Sequence, residues 1–135
     1  MSKSTAKRVK APPLPVPADV ASAVRAADAK KATDLAVLDL RKADGFTDFF
    51  VIATAQNQRQ LKAVADAIEE SLRLEHQRKP AHVEGYGRAE WVLLDYFDFV
   101  VHVFTPEMRG FYGLERLWGS ADSIDLHGVL APAKR

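Results

Sequence analysis

The hydrophobic positions of this chain change their period several times, and each change marks the boundary of a predicted element. Small apolar residues recur at helical spacing in the first stretch, which predicts a helix over residues 18–33. The apolar run 35–40 predicts a strand, and the turn residues 42–45 separate it from residues 48–55. Residues 48–55 are almost all apolar and rich in aromatic and β-branched types. This pattern is typical of a central strand covered on both faces.

A strongly amphipathic helix is predicted next. Asn57 is a favourable N-cap, and Gln60 three residues later resembles the second member of a capping box. We expect the helix to fade near Glu75, ahead of Pro80. Its apolar stripe is formed by Leu61, Val64, Ala65, Ile68 and Leu72.

The second half of the chain is predicted to contain three strands and a last helix. The strands are expected over residues 81–85, 91–95 and 99–104, with a tight turn over residues 96–98. The last helix would begin after Thr105, with a proline at its first position. Its buried stripe would comprise Phe111, Leu114, Leu117, Trp118 and Ala121. The order α-β-β-α-β-β-β-α predicts an α/β fold, a mixed sheet of about five strands with packed helices.

The 135 residues fit one domain with two tails. Residues 1–17 are basic, free of acidic residues and rich in proline, which predicts a disordered arm. We expect a single domain over residues 18–126 and a weakly specified tail over residues 127–135. No apolar run approaches the length of a membrane span, and the arm lacks the apolar region of a secretory signal. The absence of cysteine excludes disulfides and thiolate metal sites.

The charge of the chain is unevenly distributed. The arm and the last two residues hold six of the 19 basic residues, so 13 basic residues face 18 acidic ones in the body. Residues 84–125 contain eight acidic and three basic residues, a net charge of −5. An acidic body repels naked nucleic acid and favours a basic partner, although a mild negative charge also serves solubility.

Catalytic signatures are scarce. The sequence contains no GxxxxGK[ST] phosphate loop, no GxGxxG, no GxSxG elbow and no HExxH. The four histidines lack the spacing of a metal site, and His82 with Glu84 on one strand is a weak signal. Asp95 and Asp98 are paired aspartates such as bind magnesium for nucleotidyl transfer, but they occupy a turn with no Gly-Ser before them. A turn-shaping role is the favoured interpretation of these two residues.

A cluster of bulky side chains lies around the predicted strand 91–95. Strand alternation directs Trp91, Leu93 and Asp95 to one face, and the residues between them to the other. One face can serve the core. The other, unless a helix covers it, would be an apolar patch with acidic edges, and such patches mark protein interfaces.

Several motifs together resemble the ribosomal silencing factor family, also called Iojap. The resemblance covers about residues 20–121 and excludes both tails. Each motif is weak alone, but their number, order and spacing are specific. They are Leu38-Asp39-Leu40-Arg41, Thr47-Asp48-Phe49-Phe50-Val51-Ile52-Ala53, Asn57-x-Arg59-Gln60, Glu84-Gly85, Trp91-Val92-Leu93-Leu94-Asp95-Tyr96, Asp98-Phe99-Val100-Val101-His102-Val103-Phe104 and Arg109-x-Phe111-Tyr112-x-Leu114-Glu115-x-Leu117-Trp118.

The resemblance implies a sheet related to the nucleotidyltransferase fold without its catalytic residues. It also implies a cytoplasmic, non-enzymatic protein that requires no cofactor or metal. Such a protein binds ribosomal protein L-fourteen on the large subunit and sterically blocks the small subunit, which represses translation when nutrients are scarce. A homodimer when free is a further implication. No membrane association and no sequence-specific nucleic-acid binding are expected.

Carried over by position, the resemblance implies a protein-binding surface of eight residues. Three of them would be apolar anchors, and the aspartates would meet basic groups of the partner. Arg109, Tyr112 and Glu115 would instead hold the last helix on the sheet. Phe97 departs from the pattern, since many family members have glycine there. The eight are Glu84, Gly85, Trp91, Leu94, Asp95, Tyr96, Asp98 and His102, with Trp91, Leu94 and Tyr96 as the anchors.

Two other functions remain open at this point. The implied fold allows an enzyme of the nucleotidyltransferase type acting on nucleotides, which would require nucleotide and magnesium binding. The basic arm allows an RNA-binding module, whose affinity would fall steeply with salt.

Overall fold

The computed structural model describes residues 14–42, 47–112 and 121–130. These residues form four helices and six strands. The helices are α1 (Ala18–Ala29), α2 (Gln58–His76), α3 (Pro106–Tyr112) and α4 (His127–Leu130). The strands are β1 (Thr33–Asp39), β2 (Phe49–Thr54), β3 (His82–Glu84), β4 (Trp91–Asp95), β5 (Phe99–Phe104) and β6 (Asp122–Ser123).

The strands form one mixed sheet in the order β3-β4-β5-β2-β1-β6. Only the central pair, β2 and β5, is parallel, and the other pairs are antiparallel. Both central strands are buried along their full length, as their continuous apolar runs predict. The predicted α/β class is therefore confirmed, with six strands where about five were expected. The additional strand, β6, is only two residues long.

One face of the sheet is covered by α1 and α2, which form the main core with it. The apolar stripe predicted for α2 is buried throughout. Asn57 caps α2 by accepting a hydrogen bond from the Gln60 backbone N–H at 2.8 Å. The Gln60 side chain accepts from the Gln56 N–H, one residue before the expected partner of a capping box. The sheet contributes Val37, Phe49, Val51, Ala53, Val92, Leu94, Phe99, Val101 and Val103 to this core.

The opposite face carries a second, smaller apolar cluster, which α3 contacts. Met108 of α3 packs against it. Arg109 fastens α3 to the sheet by donating to the Asp34 carbonyl and to Thr54 Oγ1, the latter at 2.7 Å. The prediction that Arg109 holds this helix is thus supported, whereas the Tyr112 and Glu115 side chains lie outside the described residues. The buried members of the cluster are Leu38, Leu40, Phe50, Ile52, Val100 and Phe104.

Core packing extends past both predicted ends of the domain. Val16 belongs to the main core although it was assigned to the arm, and residues 1–13 lie outside the described part of the chain. Val129 is fully buried, and its carbonyl accepts a hydrogen bond from Arg25 Nε of α1 at 2.8 Å. Residues 127–130 are therefore part of the domain, because α4 packs on α1.

The predicted last helix lies only partly within the described residues. The structure describes α3 as far as Tyr112, and Ala121 is a bend residue directly before β6 rather than part of a helix. The Phe111 side chain and residues 113–120, which hold the rest of the predicted stripe, lie outside the described residues. None of the helices in the described part combines the length and apolar character that a membrane span requires.

Candidate protein-docking face

The side of β3, β4 and β5 that faces away from α1 and α2 brings several predicted site residues together. We call it the β4 face. Cross-strand pairing sets Leu93 between Glu84 and His102, and Asp95 between His82 and Val100. Paired residues project to the same side of a sheet. The residues on the β4 face therefore include His82, Glu84, Trp91, Leu93, Asp95 and His102.

Trp91 is the large aromatic side chain of this face and is held from two sides. Its Nε1 donates to His102 Nδ1 at 3.1 Å, and its ring lies 4.9 Å from the ring of Phe104 between centroids. Trp91 is half-buried, so part of its side chain is exposed to solvent. A groove of about 360 Å³ runs beside it, lined by Gly85, Arg88, Glu90, Trp91 and Met108.

His102 supports Trp91 from below and is itself buried. Only 4% of its surface is exposed, and burial lowers its pKa to about 4, so the imidazole is neutral at physiological pH. Because Nδ1 accepts from Trp91, the proton of the neutral ring resides on Nε2. Nε2 has no hydrogen-bond partner among the described residues. His102 thus positions the indole and does not itself reach the surface.

The two carboxylates of the β4 face differ in exposure and in the groups that they contact. The Glu84 side chain is 63% exposed, and it pairs with His82 on the same strand. Asp95 is half-buried, and its Oδ1 accepts from the Phe97 N–H at 2.8 Å. Glu84 is therefore the more accessible anion, while Asp95 also shapes the turn that follows its strand.

Leu94 and Tyr96 do not lie on this face, so they cannot be the surface anchors that the resemblance implied. Leu94 is 0% exposed and Tyr96 is 1% exposed, and both belong to the main core. Strand alternation turns Leu94 towards the helices, and the Tyr96 ring stacks on Phe99 with centroids 5.0 Å apart. Burial raises the pKa of the Tyr96 hydroxyl, which has no partner among the described residues.

Asp98 is already paired within the chain. Arg78 Nη2 donates to Asp98 Oδ1 at 2.9 Å and to the Tyr96 carbonyl at 2.8 Å, and Arg78 Nη1 reaches Asp19 at 2.8 Å. Hydrogen bonds to Asp98 and Asp19 raise the pKa of the Arg78 guanidinium further. This clamp fixes the turn after β4. The role of Arg78 was not predicted from the sequence, since no local pattern indicates a partner 20 residues away.

Gly85 has a backbone role. Its φ is +95°, and a Cβ built on it would lie 2.0 Å from the Trp91 carbonyl oxygen. Only glycine permits this approach between the end of β3 and the start of β4. Gly85 therefore positions Trp91 rather than offering a side chain to a partner.

A family model described as "Ribosomal silencing factor during starvation" matches residues 13–135. The chain belongs to the ribosomal silencing factor family. Ribosomal silencing factors from Halalkalibacterium halodurans and Bacillus subtilis are each 38% identical to it. The first aligns over 81% of this chain and 92% of its own length, and the second over 77% and 87%.

A solved structure has a similar fold. The crystal structure of a protein from Chromobacterium violaceum is 34% identical, with a TM-score of 0.71, over 75% of this chain and 83% of that one.

In this chain, Asp95 accepts a hydrogen bond from the Phe97 amide, and Asp98 accepts one from Arg78. These contacts support the turn-shaping interpretation of the aspartates over a magnesium-binding one. In the described residues, no cluster of three or more histidine or acidic side chains is arranged to hold a metal.

Proposed function

We propose that this protein silences translation by docking its β4 face on ribosomal protein L-fourteen of the large subunit, where it sterically blocks the small subunit. The observation that carries the proposal is the arrangement of Trp91. The indole is half-buried beside a groove, and a buried histidine holds it in one orientation. Fixed, partly exposed aromatic side chains are typical anchors of protein interfaces.

Charge supports the same partner. The segment 84–125 has a net charge of −5, and Glu84 and Asp95 lie on the face that carries Trp91. A basic ribosomal protein would be attracted to this side of the molecule, which raises the association rate more than the final affinity. The proposed mechanism needs no catalysis, because the bound protein acts by occupying space. Its site of action is the cytoplasm, where the ribosomal subunits join.

A subunit-joining experiment tests the proposal directly. Purified large and small subunits are mixed with and without the protein and separated on a sucrose gradient. We expect fewer joined ribosomes, with the protein migrating with the large subunit. Unchanged joining with no protein on either subunit would rule out both the silencing mechanism and the docking partner.

Two variants connect the experiment to the β4 face. Trp91→Arg removes the anchor and should weaken binding by at least about 30-fold. Glu84→Lys reverses an exposed charge and should slow association about threefold to tenfold, with the effect fading at high salt. Glu70→Lys is the matched control, because Glu70 is exposed on α2, which covers the opposite face. Circular dichroism establishes that each variant is folded before binding is measured.

We also propose that the free protein forms a homodimer, as the family resemblance implied. Sedimentation of the free protein over a concentration series measures this. A single species with the mass of one chain, 14.9 kDa, at all concentrations would exclude a homodimer.

A further inference from the structure

Phe97 is an aromatic side chain that contributes little to the fold. It is 80% exposed, the most exposed of the large hydrophobic residues in the described part of the chain. Its φ is +80°, in the left-handed region that residues with a Cβ rarely adopt. The turn would be satisfied by glycine at lower conformational cost. Folding therefore gains neither burial nor favourable backbone geometry from a phenylalanine at this position.

The backbone around Phe97 is nevertheless held in place on both sides. The Phe97 N–H donates to Asp95 Oδ1 at 2.8 Å, and the Phe97 carbonyl accepts from Thr47 Oγ1 at 3.0 Å. Arg78 binds the Tyr96 carbonyl and the Asp98 carboxylate, the residues that flank Phe97. An exposed ring on a fixed backbone loses less entropy on binding than one on a free loop. Strained residues that the surrounding structure holds in place are often functional.

We propose that Phe97, in the turn that follows β4, is a second apolar anchor of the same docking interface, and that it inserts into an apolar pocket with a basic rim on the large-subunit protein that receives Trp91. The inference rests on the proposed function and names a further contact of the same interface. Continuity supports it, because the carboxylate that binds the Phe97 amide belongs to Asp95, a residue of the β4 face.

Charge indicates the chemistry of the pocket. Asp95 lies two residues before the ring, and the exposed Asp48 joins the same turn by donating its backbone N–H to the Asp98 carbonyl, whereas the Asp98 carboxylate is paired with Arg78. Carboxylates around an aromatic tip disfavour contact with RNA phosphates and favour lysine or arginine side chains at the rim of a protein pocket. We therefore place a protein, rather than ribosomal RNA, opposite Phe97.

The decisive variant is Phe97→Gly, because its effects on folding and on binding have different expected signs. Glycine relieves the positive φ, so the melting temperature should stay the same or rise slightly. Removing the ring should weaken binding to purified large subunits about 10- to 30-fold, measured by pelleting labelled protein through a sucrose cushion. Phe97→Tyr keeps an aromatic ring and should retain most of the affinity. Leu74→Ala is the matched control, since Leu74 is 59% exposed on α2.

The outcomes separate this inference from the proposed function. If Phe97→Gly binds as tightly as the wild type while Trp91→Arg does not bind, the role of Phe97 is overturned and the proposed function stands. If the wild type itself fails to bind large subunits, both are overturned. If Phe97→Gly only changes the sedimentation of the free protein, the ring serves a second copy of the chain and the inference is wrong. A loss of affinity in Phe97→Gly, together with affinity close to that of the wild type in Phe97→Tyr, supports the inference.

Discussion

The two faces of β4 and β5 are filled by side chains of different chemistry. The helix-covered face holds aliphatic and aromatic side chains, with Leu94 fully buried. The β4 face mixes apolar side chains with an imidazole and an indole that hydrogen-bond each other. Apolar packing has no direction, whereas a hydrogen bond orients a ring. The difference indicates that one face serves stability and the other fixes the orientation of a side chain.

The edges of the two faces show the same division. On the helix side the core extends without interruption from Val16 through α1, α2 and the sheet to Val129. On the β4 side, Leu93 and Trp91 are only half-buried, and Glu84 is exposed. A sheet face that is only partly covered buries less apolar area in the folded protein. Such a face is expected where a partner protein covers it on binding.

The largest expected effect is on the helix side. Leu94→Ala should lower the free energy of unfolding by about 3 kcal/mol, because it leaves a cavity in a fully packed core. The neighbouring Leu93→Ala should cost about 1 kcal/mol, since Leu93 is half-buried on the β4 face. Urea denaturation followed by circular dichroism measures both. Equal losses would contradict the division between the two faces.

Local chemistry explains why part of this arrangement could be predicted from sequence. Asn57 and Gln60 are three residues apart, so the cap of α2 is visible in the sequence and is present in the structure. Strand alternation correctly separated Trp91 from Leu94. It did not say which side the helices cover, because both sides are apolar. The surface role of Leu94 was implied by the resemblance alone, and Leu94 lies buried on the helix-covered side.

Contacts between distant residues could not be predicted. Arg78 meets Asp98 across 20 residues and Asp19 across 59, and no local pattern records such a pairing. The two residues of β6 are too few to show a period, and α4 is a single turn. The parallel pairing of β2 and β5 depends on topology, which two apolar runs of similar composition do not specify.

The second prediction concerns the pH dependence of stability, which is expected to depend on His102 of the β4 face. Burial lowers the pKa of His102 to about 4 from an ordinary value of 6.5. Below pH 6.5 His102 takes up a proton in the unfolded chain, whereas in the folded chain it stays neutral down to about pH 4. The contribution of neutral His102 to the free energy of unfolding is therefore complete above pH 6.5. It is lost as the pH falls towards 4, and the total loss is about 3 kcal/mol.

His102→Gln isolates this contribution, because glutamine does not titrate. The free energy of unfolding of the variant should fall less steeply than that of the wild type between pH 6.5 and 4. Carboxylates such as Asp39, whose pKa a hydrogen bond from Arg41 lowers, affect both proteins alike. Parallel curves over this interval would mean that His102 is charged in the folded protein, or solvated enough to titrate normally.

The third effect tests the junction between β3 and the β4 face. Gly85→Ala should cost about 2 kcal/mol, since the new Cβ would lie 2.0 Å from the Trp91 carbonyl oxygen and φ is +95°. Gly87→Ala is the matched control, because a Cβ there meets nothing within 4 Å. Thermal denaturation of the two variants makes the comparison. A similar melting temperature for both would mean that β3 shifts freely and does not position Trp91.

The smallest effect concerns the orientation of the indole. Trp91→Phe keeps an aromatic ring near Phe104 but removes the donor to His102 Nδ1. The loss in the free energy of unfolding should be about 1 kcal/mol, the usual net value of one hydrogen bond. Nitrogen NMR of His102 is the sharper measurement, because the wild type should hold the proton on Nε2 alone. In the variant Nδ1 loses its donor, so the second tautomer should become populated. A tautomer ratio unchanged by Trp91→Phe would show that burial alone fixes the imidazole, and that His102 does not orient the indole through this bond.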